Sequence, residues 1–272
     1  MTYCVGLRVE AGLVIVADTR TNAGIDNIST YKKLHILADD EERLIVVASA
    51  GSLSVSQSML SMLMEGLPCL DDSGLPRSVS GQPTMFRVAQ LVGEALSIAR
   101  RAIGQTLEGT KINANASILL GGRIGDAPLS LYQIYAEGNF IECQPDAPFL
   151  QIGELKYGKP ILDRALTWES PLEEAVKVVL MSFDSTMRSN LSVGLPFDLI
   201  AIPSNLKRKV IRRRIEVDDE YFINLSSEWS RLLNESRAVI EDPPFMQPGA
   251  AADVPAQKKP AADQTPTLVQ SG

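Results

Sequence analysis

Histidine is nearly absent from this chain. Its 272 residues include one, His35, in the short apolar run "KKLHILA". A Ser-His-Asp triad would have to recruit that residue, and no G-x-S-x-G elbow is present to expose a serine. His35 therefore reads as a packed or solvated strand residue, and a histidine-rich metal site is excluded. Cysteine is scarce too: Cys4, Cys69 and Cys143 are scattered and form no C-x-x-C pair. That usage fits free thiols in a reduced cytoplasm rather than a disulfide framework, and it lacks zinc spacing. Positive charge is in deficit, and a net charge of −7 argues against general electrostatic binding to nucleic acid. No apolar run reaches the roughly 18 residues that would span a membrane. The start "MTYCVG" has neither the basic region nor the long apolar stretch of a signal peptide. A cytoplasmic chain with no nucleic-acid or membrane partner is expected.

Apolar residues, at 45% of the chain, are sufficient for a real core. Tyr3–Val9 and Leu13–Ala17 are apolar runs joined by Glu10-Ala11-Gly12, the pattern of a β-hairpin. The polar "TNAGIDNISTYKK" reads as a loop, and "LHILA" and "RLIVVASA" as a second strand pair across the acidic turn Asp39–Glu42. "SLSVSQSMLSMLMEGL" reads as a helix whose methionines fill the core, and Asp71–Pro83 as a loop. From about Thr84 to Ile103, the residues Phe86, Ala89, Val92, Leu96, Ala99 and Ile103 fall on one helical face.

Strands return at "ASILLGGR", "LSLYQIYA" and "FIECQ", with Gly138-Asn139 forming a turn. "KPILDRAL" and "LEEAVKVVLMSFDSTMRS" read as helices, "FDLIAIP" and "KVIRRRIEV" as strands, and about Asp219–Val239 as a last helix. Residues 1–240 are expected to form one domain. Residues 241–272, rich in Pro and Ala without periodicity, are expected to be disordered. Two stacked antiparallel sheets with helices outside satisfy this order. Each sheet is then covered on both faces, which explains apolar runs without alternation. The helices at "SLSVSQSMLSMLMEGL" and "LEEAVKVVLMSF" carry more apolar residues than one covered face requires, so self-association is expected.

Thr2 offers chemistry that needs no histidine. Methionine is commonly removed before threonine, and nothing longer precedes Thr2, so the mature chain is expected to begin there. Thr2 would then carry a hydroxyl and a free α-amine, which titrates near 7.7 to 8.0. The amine can take the hydroxyl proton directly or through one water and so activate a weak nucleophile. Such a site also needs a buried cation, and a carboxylate to hold it. Asp18 ends the second strand and Lys32 and Lys33 precede the third, so both strand ends come beside Thr2 if the sheet is ordered sequentially. Either lysine fits the role; Lys33, nearer the strand, is preferred.

Taken together, "TYCVG", "DTRTNAG", "KLH", "ASAGS" and "QIGELKYGKPILDRAL" resemble a proteasome-type β-subunit, and most closely the bacterial Anbu family. The resemblance covers about residues 2 to 240. It implies an α+β fold, the four-layer αββα sandwich of N-terminal-nucleophile hydrolases. It implies a threonine-type peptidase in which Thr2 is the nucleophile, Asp18 and Lys33 the supporting pair, and Arg20 a residue shaping the site. The backbone N–H of Gly51 matches the oxyanion-hole glycine. Where proteasomes use a serine in a Gly-Ser-rich stretch, this chain has "IGELKYG", which brings Glu154 or Leu155 to that place. Where they use Asp-x-x-Ser, "RSNLSVG" offers Ser189 and Ser192 without the aspartate.

The resemblance implies no metal or organic cofactor, a peptide or protein substrate, and a large homo-oligomer, ring or open helix. It allows an ATP-driven unfoldase partner, for which the sequence shows no docking signal. Two other activities fit the same residues: an amidohydrolase or acyl transferase on a specialised small amide or peptide, and a silent assembly subunit.

Overall fold

Tyr3–Val9 (β1) and Gly12–Asp18 (β2) form the hairpin, and both strands are almost wholly buried. A computed structural model describes residues 2–22, 28–69, 75–110 and 113–246. Further along come Arg20–Asn22 (β3), Ile28–Thr30 (β4), Leu34–Asp39 (β5), Arg43–Gly51 (β6) and the helices Leu53–Glu65 (α1) and Met85–Thr106 (α2). Next are Ala116–Ile124 (β7), Ser130–Ile134 (β8), Phe140–Glu142 (β9) and Phe149–Gly153 (β10), then the helices Lys159–Ala165 (α3) and Leu172–Ser189 (α4). Phe197–Pro203 (β11), Ile211–Ile215 (β12) and the helix Glu220–Val239 (α5) complete the set.

The strands form two five-stranded sheets, β10-β1-β2-β11-β12 and β5-β6-β7-β8-β9, beside a two-stranded ribbon of β3 and β4. Within the hairpin, Val5 pairs with Val16, and Val16 pairs with Leu199 on its other side. Three apolar clusters account for the layering. Cys4, Leu13, Ile15 and Ala17 meet Val46, Ala48, Leu119 and Leu131 between the sheets. The opposite faces of β1 and β2, with Tyr3, Val5, Leu7, Val14 and Val16, pack on Leu162, Val179 and Phe183 of α3 and α4. On the far side, Ile45, Val47, Ile118 and Leu120 lie under α1 and α2. The order helix, sheet, sheet, helix is the expected αββα sandwich, and burial on both faces explains the uninterrupted apolar strands.

Local signals fix the helix ends. Thr84 caps α2 by accepting a hydrogen bond from Arg87 N at 3.2 Å. In α4, Glu173 and Glu174 sit in the first turn and Arg188 in the last, matching the helix dipole.

Several expectations need correction. "TNAGIDNISTYKK" contains β4 and all of its partner β3 but Arg20, and Thr21 faces Ser29. The ribbon lies outside both sheets, so it never needed an apolar pattern. The strand "FLQIG" is β10, an edge strand with partly exposed residues and no clean alternation. Phe86 is 49% exposed and meets Phe140 edge-on at 5.6 Å, at the rim of the α2 packing rather than in it. The sheet that holds β1 is not ordered sequentially, and β5, which follows Lys33, belongs to the opposite sheet. In α4, none of the described large apolar residues is exposed, and in α1 only Met64 is.

Backbone contacts divide the chain into two units, with the boundary between Ser227 and Glu228 inside α5. In the second unit, Arg231 bridges Glu228 and Glu235 along α5, and Pro244–Met246 form a 3-10 turn. The expectation of disorder beyond 246 falls on residues outside the described ones. Among the described residues, no helix is long and apolar enough to cross a membrane.

Candidate active site

A cleft of about 220 Å³ opens where β1 begins and β6 and β10 end, lined by Thr2, Thr21, Lys33, Ser49, Ala50, Gly51, Leu53, Ser56 and Gly153. Thr2 enters it because β1 begins at the next residue and both neighbouring strands hold it. On one side Asp18, the last residue of β2, takes the amide of Tyr3 on Oδ1 at 3.0 Å. On the other, Glu154 N donates to the Thr2 carbonyl at 2.7 Å. The turn out of β10 at Gly153 has φ +85°, and a Cβ there would come within 2.0 Å of the Thr2 carbonyl oxygen. Only glycine fits that approach.

Lys33 reaches the cleft from the start of the other sheet. Its side chain is 2% exposed and Asp18 is fully buried, and Nζ lies 2.8 Å from Asp18 Oδ1. A second bond from Nζ to the Arg20 carbonyl, at 2.6 Å, fixes the ammonium between two oxygens. Burial pushes the Asp18 carboxyl up from the usual carboxylate range, while the Lys33 ammonium and the Tyr3 N–H pull it back. Among the described residues, Asp18 Oδ2 is buried without a hydrogen-bond partner. A buried ion pair and an unpartnered oxygen cost stability, and such costs gather at functional sites.

The other candidates divide. Gly51, at the end of β6 with φ +105°, lines the cleft just before α1. A Cβ at Gly51 would fall 2.4 Å from the Asn115 carbonyl oxygen. Arg20 contributes its carbonyl to Lys33, while its guanidinium donates to the Leu191 carbonyl at 2.9 Å. Lys32 is exposed. His35 Nε2 pairs with the Lys32 carbonyl at 3.1 Å, and His35 does not line the cleft. Ser189 is exposed at the end of α4, and Ser192 donates its amide to Asn190 Oδ1 at 3.0 Å; neither lines the cleft. Burial pushes the thiols of Cys4 and Cys143 up, Cys143 to about 12, which leaves them poor nucleophiles at neutral pH.

Sequence reasoning did not single out Thr21, Ser49, Leu53, Ser56 and Gly153 as cleft residues, nor Asn190 as a partner of Glu154. "DTRTNAG", "ASAGS" and "QIGELKYG" contain three of these six positions, Thr21, Ser49 and Gly153, and their small residues and glycines next to strand ends were the available signal; Leu53 and Ser56 follow in α1. Asn190, at the end of α4, had no such mark.

No protein-family model matches the chain, and no curated protein matches it. Solved structures do. An Anbu Gly-1 mutant from Hyphomicrobium sp. strain MC1 is 45% identical, with 89% of this chain and 99% of that chain covered and a TM-score of 0.79. Anbu (ancestral beta-subunit) from Yersinia bercovieri is 40% identical over 89% of this chain and 99% of that one, with a TM-score of 0.78. The helical assembly of the Anbu complex from Pseudomonas aeruginosa is 41% identical over 89% and 98%, with a TM-score of 0.79.

Proposed function

The chain belongs to the Anbu family of ancestral proteasome β-subunit-like proteins, and on that premise we propose that it is a threonine-type peptidase whose nucleophile is Thr2, exposed by removal of Met1. The observation that carries this reading is the meeting of Thr2, Lys33 and Gly51 in one cleft, with Lys33 pinned by Asp18 at 2.8 Å. The free amine of Thr2 takes the proton from its own Oγ, and Oγ attacks the peptide carbonyl. The Lys33 ammonium favours the unprotonated amine and stabilises negative charge on Oγ. The oxyanion forms beside the Gly51 N–H, where the N-terminus of α1 adds its partial positive charge. The amine then passes its proton to the leaving group, and water attacks the acyl-enzyme to release the second product.

The chain works in this proposal as a cytoplasmic homo-oligomer. Its support is the helical assembly of the relative from Pseudomonas aeruginosa and exposed apolar residues in each unit, Tyr221 and Ile223 in the first and Leu232 and Leu233 in the second.

Hydrolysis of a fluorogenic peptide series tests the reaction. Thr2→Ser should retain turnover and Thr2→Ala should abolish it with an unchanged circular dichroism spectrum. Equal turnover by Thr2→Ala would contradict the proposal.

A further inference from the structure

A buried glutamate follows β10 next to Thr2, and its hydrogen-bond donors among the described residues are neutral. Glu154 is 5% exposed. Its Oε1 accepts from Leu155 N at 3.0 Å and Lys156 N at 2.9 Å, and its Oε2 accepts from Asn190 Nδ2 at 2.8 Å. Both oxygens are thus engaged as acceptors. Asn190 is equally committed, since its Oδ1 accepts from Ser192 N at 3.0 Å. The pair joins the turn after β10 to the loop that follows α4.

Each end of this tie leads to the cleft. At one end, the Glu154 amide holds the Thr2 carbonyl at 2.7 Å, and Gly153 lines the cleft. At the other, the Leu191 carbonyl receives Arg20 Nη1 at 2.9 Å. The guanidinium lies so close to Gly194 that a Cβ there would come within 2.4 Å of it. The carbonyl of the same Arg20 accepts from Lys33 Nζ at 2.6 Å. We propose that Glu154, through Asn190, is a positioning residue that sets Thr2 against Lys33. The proposal rests on Thr2 being the nucleophile. Its physical content is geometric: a misplacement of about 1 Å between reacting groups costs up to roughly 100-fold in rate.

The pair permits a charge swap. In Glu154→Gln, the new Nε2 meets the Asn190 Nδ2, donor against donor. In Asn190→Asp, two carboxylates face each other. Combined, the new carboxylate accepts from the new amide and still receives Ser192 N. The test is saturation labelling of the full chain by a peptide β-lactone, read by intact mass. Each single variant should lower the maximal labelling rate by about 10- to 100-fold, with the half-saturating concentration within about twofold of wild type. The double variant should regain most of the rate, with melting temperatures close to wild type. Wild-type rates in the single variants, or no recovery in the double variant, would overturn the proposal. Should Glu154→Gln fail to fold, Asn190→Asp and the double variant carry the same comparison. Absence of labelling in the wild type overturns the nucleophile assignment and this role with it, and is told apart because it appears in the unmutated chain.

Discussion

Lys33 and Asp18 share a desolvated contact, so the two halves of the pair respond differently to mutation. Asp18→Asn leaves a buried ammonium without its counter-charge, and a loss of about 3–5 kcal/mol in urea denaturation is expected. Lys33→Ala leaves a carboxyl that burial already pushes up, and it can escape the cost by binding a proton. Above the unfolded carboxyl value near 4, the native variant then holds a proton that the unfolded chain has released. Stability therefore falls as pH rises. The deficit of Lys33→Ala against wild type should shrink between pH 7.5 and pH 5; a pH-independent deficit would contradict this account. Both variants should lose roughly 100-fold or more in peptidase rate, whereas Lys32→Ala, at an exposed position, should change little. A severe Lys32→Ala defect would reverse the choice between the two lysines. Tyr3 gives a second signature. Burial raises its phenol to about 12, with its hydroxyl paired to Ser182 at 2.7 Å and Gln151 at 2.8 Å. Between about pH 10 and 12 the native state binds this proton and the unfolded state does not, costing up to about 2–3 kcal/mol. Tyrosine absorbance should show one phenol titrating about two units late, and Tyr3→Phe should remove it.

At the scale of elements, β10 does more than close the edge of a sheet. It pairs with β1 from Tyr3↔Gly153 to Leu7↔Phe149, so its last residue sets the height of Thr2 in the cleft. Gly153→Ala should destabilise the fold by about 2–3 kcal/mol, measured by thermal melting, because the new Cβ must displace the Thr2 carbonyl. A melting temperature equal to wild type would refute that reading. This strand was hard to read from sequence for the reason it matters. "FLQIG" is short and half-covered, so neither an apolar run nor alternation marks it, and its pairing with residues nearly 150 positions away leaves no local trace. β1, β2, β6, β7 and β11 were legible because burial on both faces demands continuous apolar residues. The candidates Thr2, Asp18 and Lys33 stood out in the sequence as a hydroxyl, a carboxylate and an ammonium at strand ends, and the fold groups them. The link between Glu154 and Asn190 was not, because it depends on two loops meeting.

For the whole molecule, the apolar surface lies where the composition did not point. The residues of α4 expected to be exposed are covered by the sheet, whereas Tyr221 and Ile223 in the first unit, and Leu232 and Leu233 in the second, are 42–57% exposed. Exposed residues at this density mark a partner surface, and a second copy is the partner proposed. Light scattering should give a mass several times 29.5 kDa at micromolar protein. Leu232→Glu with Leu233→Glu should lower that mass, while removal of the residues after Val239 should not. A stable monomer from the full chain would contradict the assembly proposal, and so would loss of assembly on removing that tail alone.

The most direct test of Thr2 as nucleophile is the intact mass of the purified chain after incubation with a peptide β-lactone, alongside Thr2→Ala. The account predicts a chain lacking Met1 that gains one equivalent of the lactone, with the added mass on the N-terminal peptide, and no gain in Thr2→Ala. A Met1-free chain that gains no mass, or an equal gain in Thr2→Ala, would contradict it.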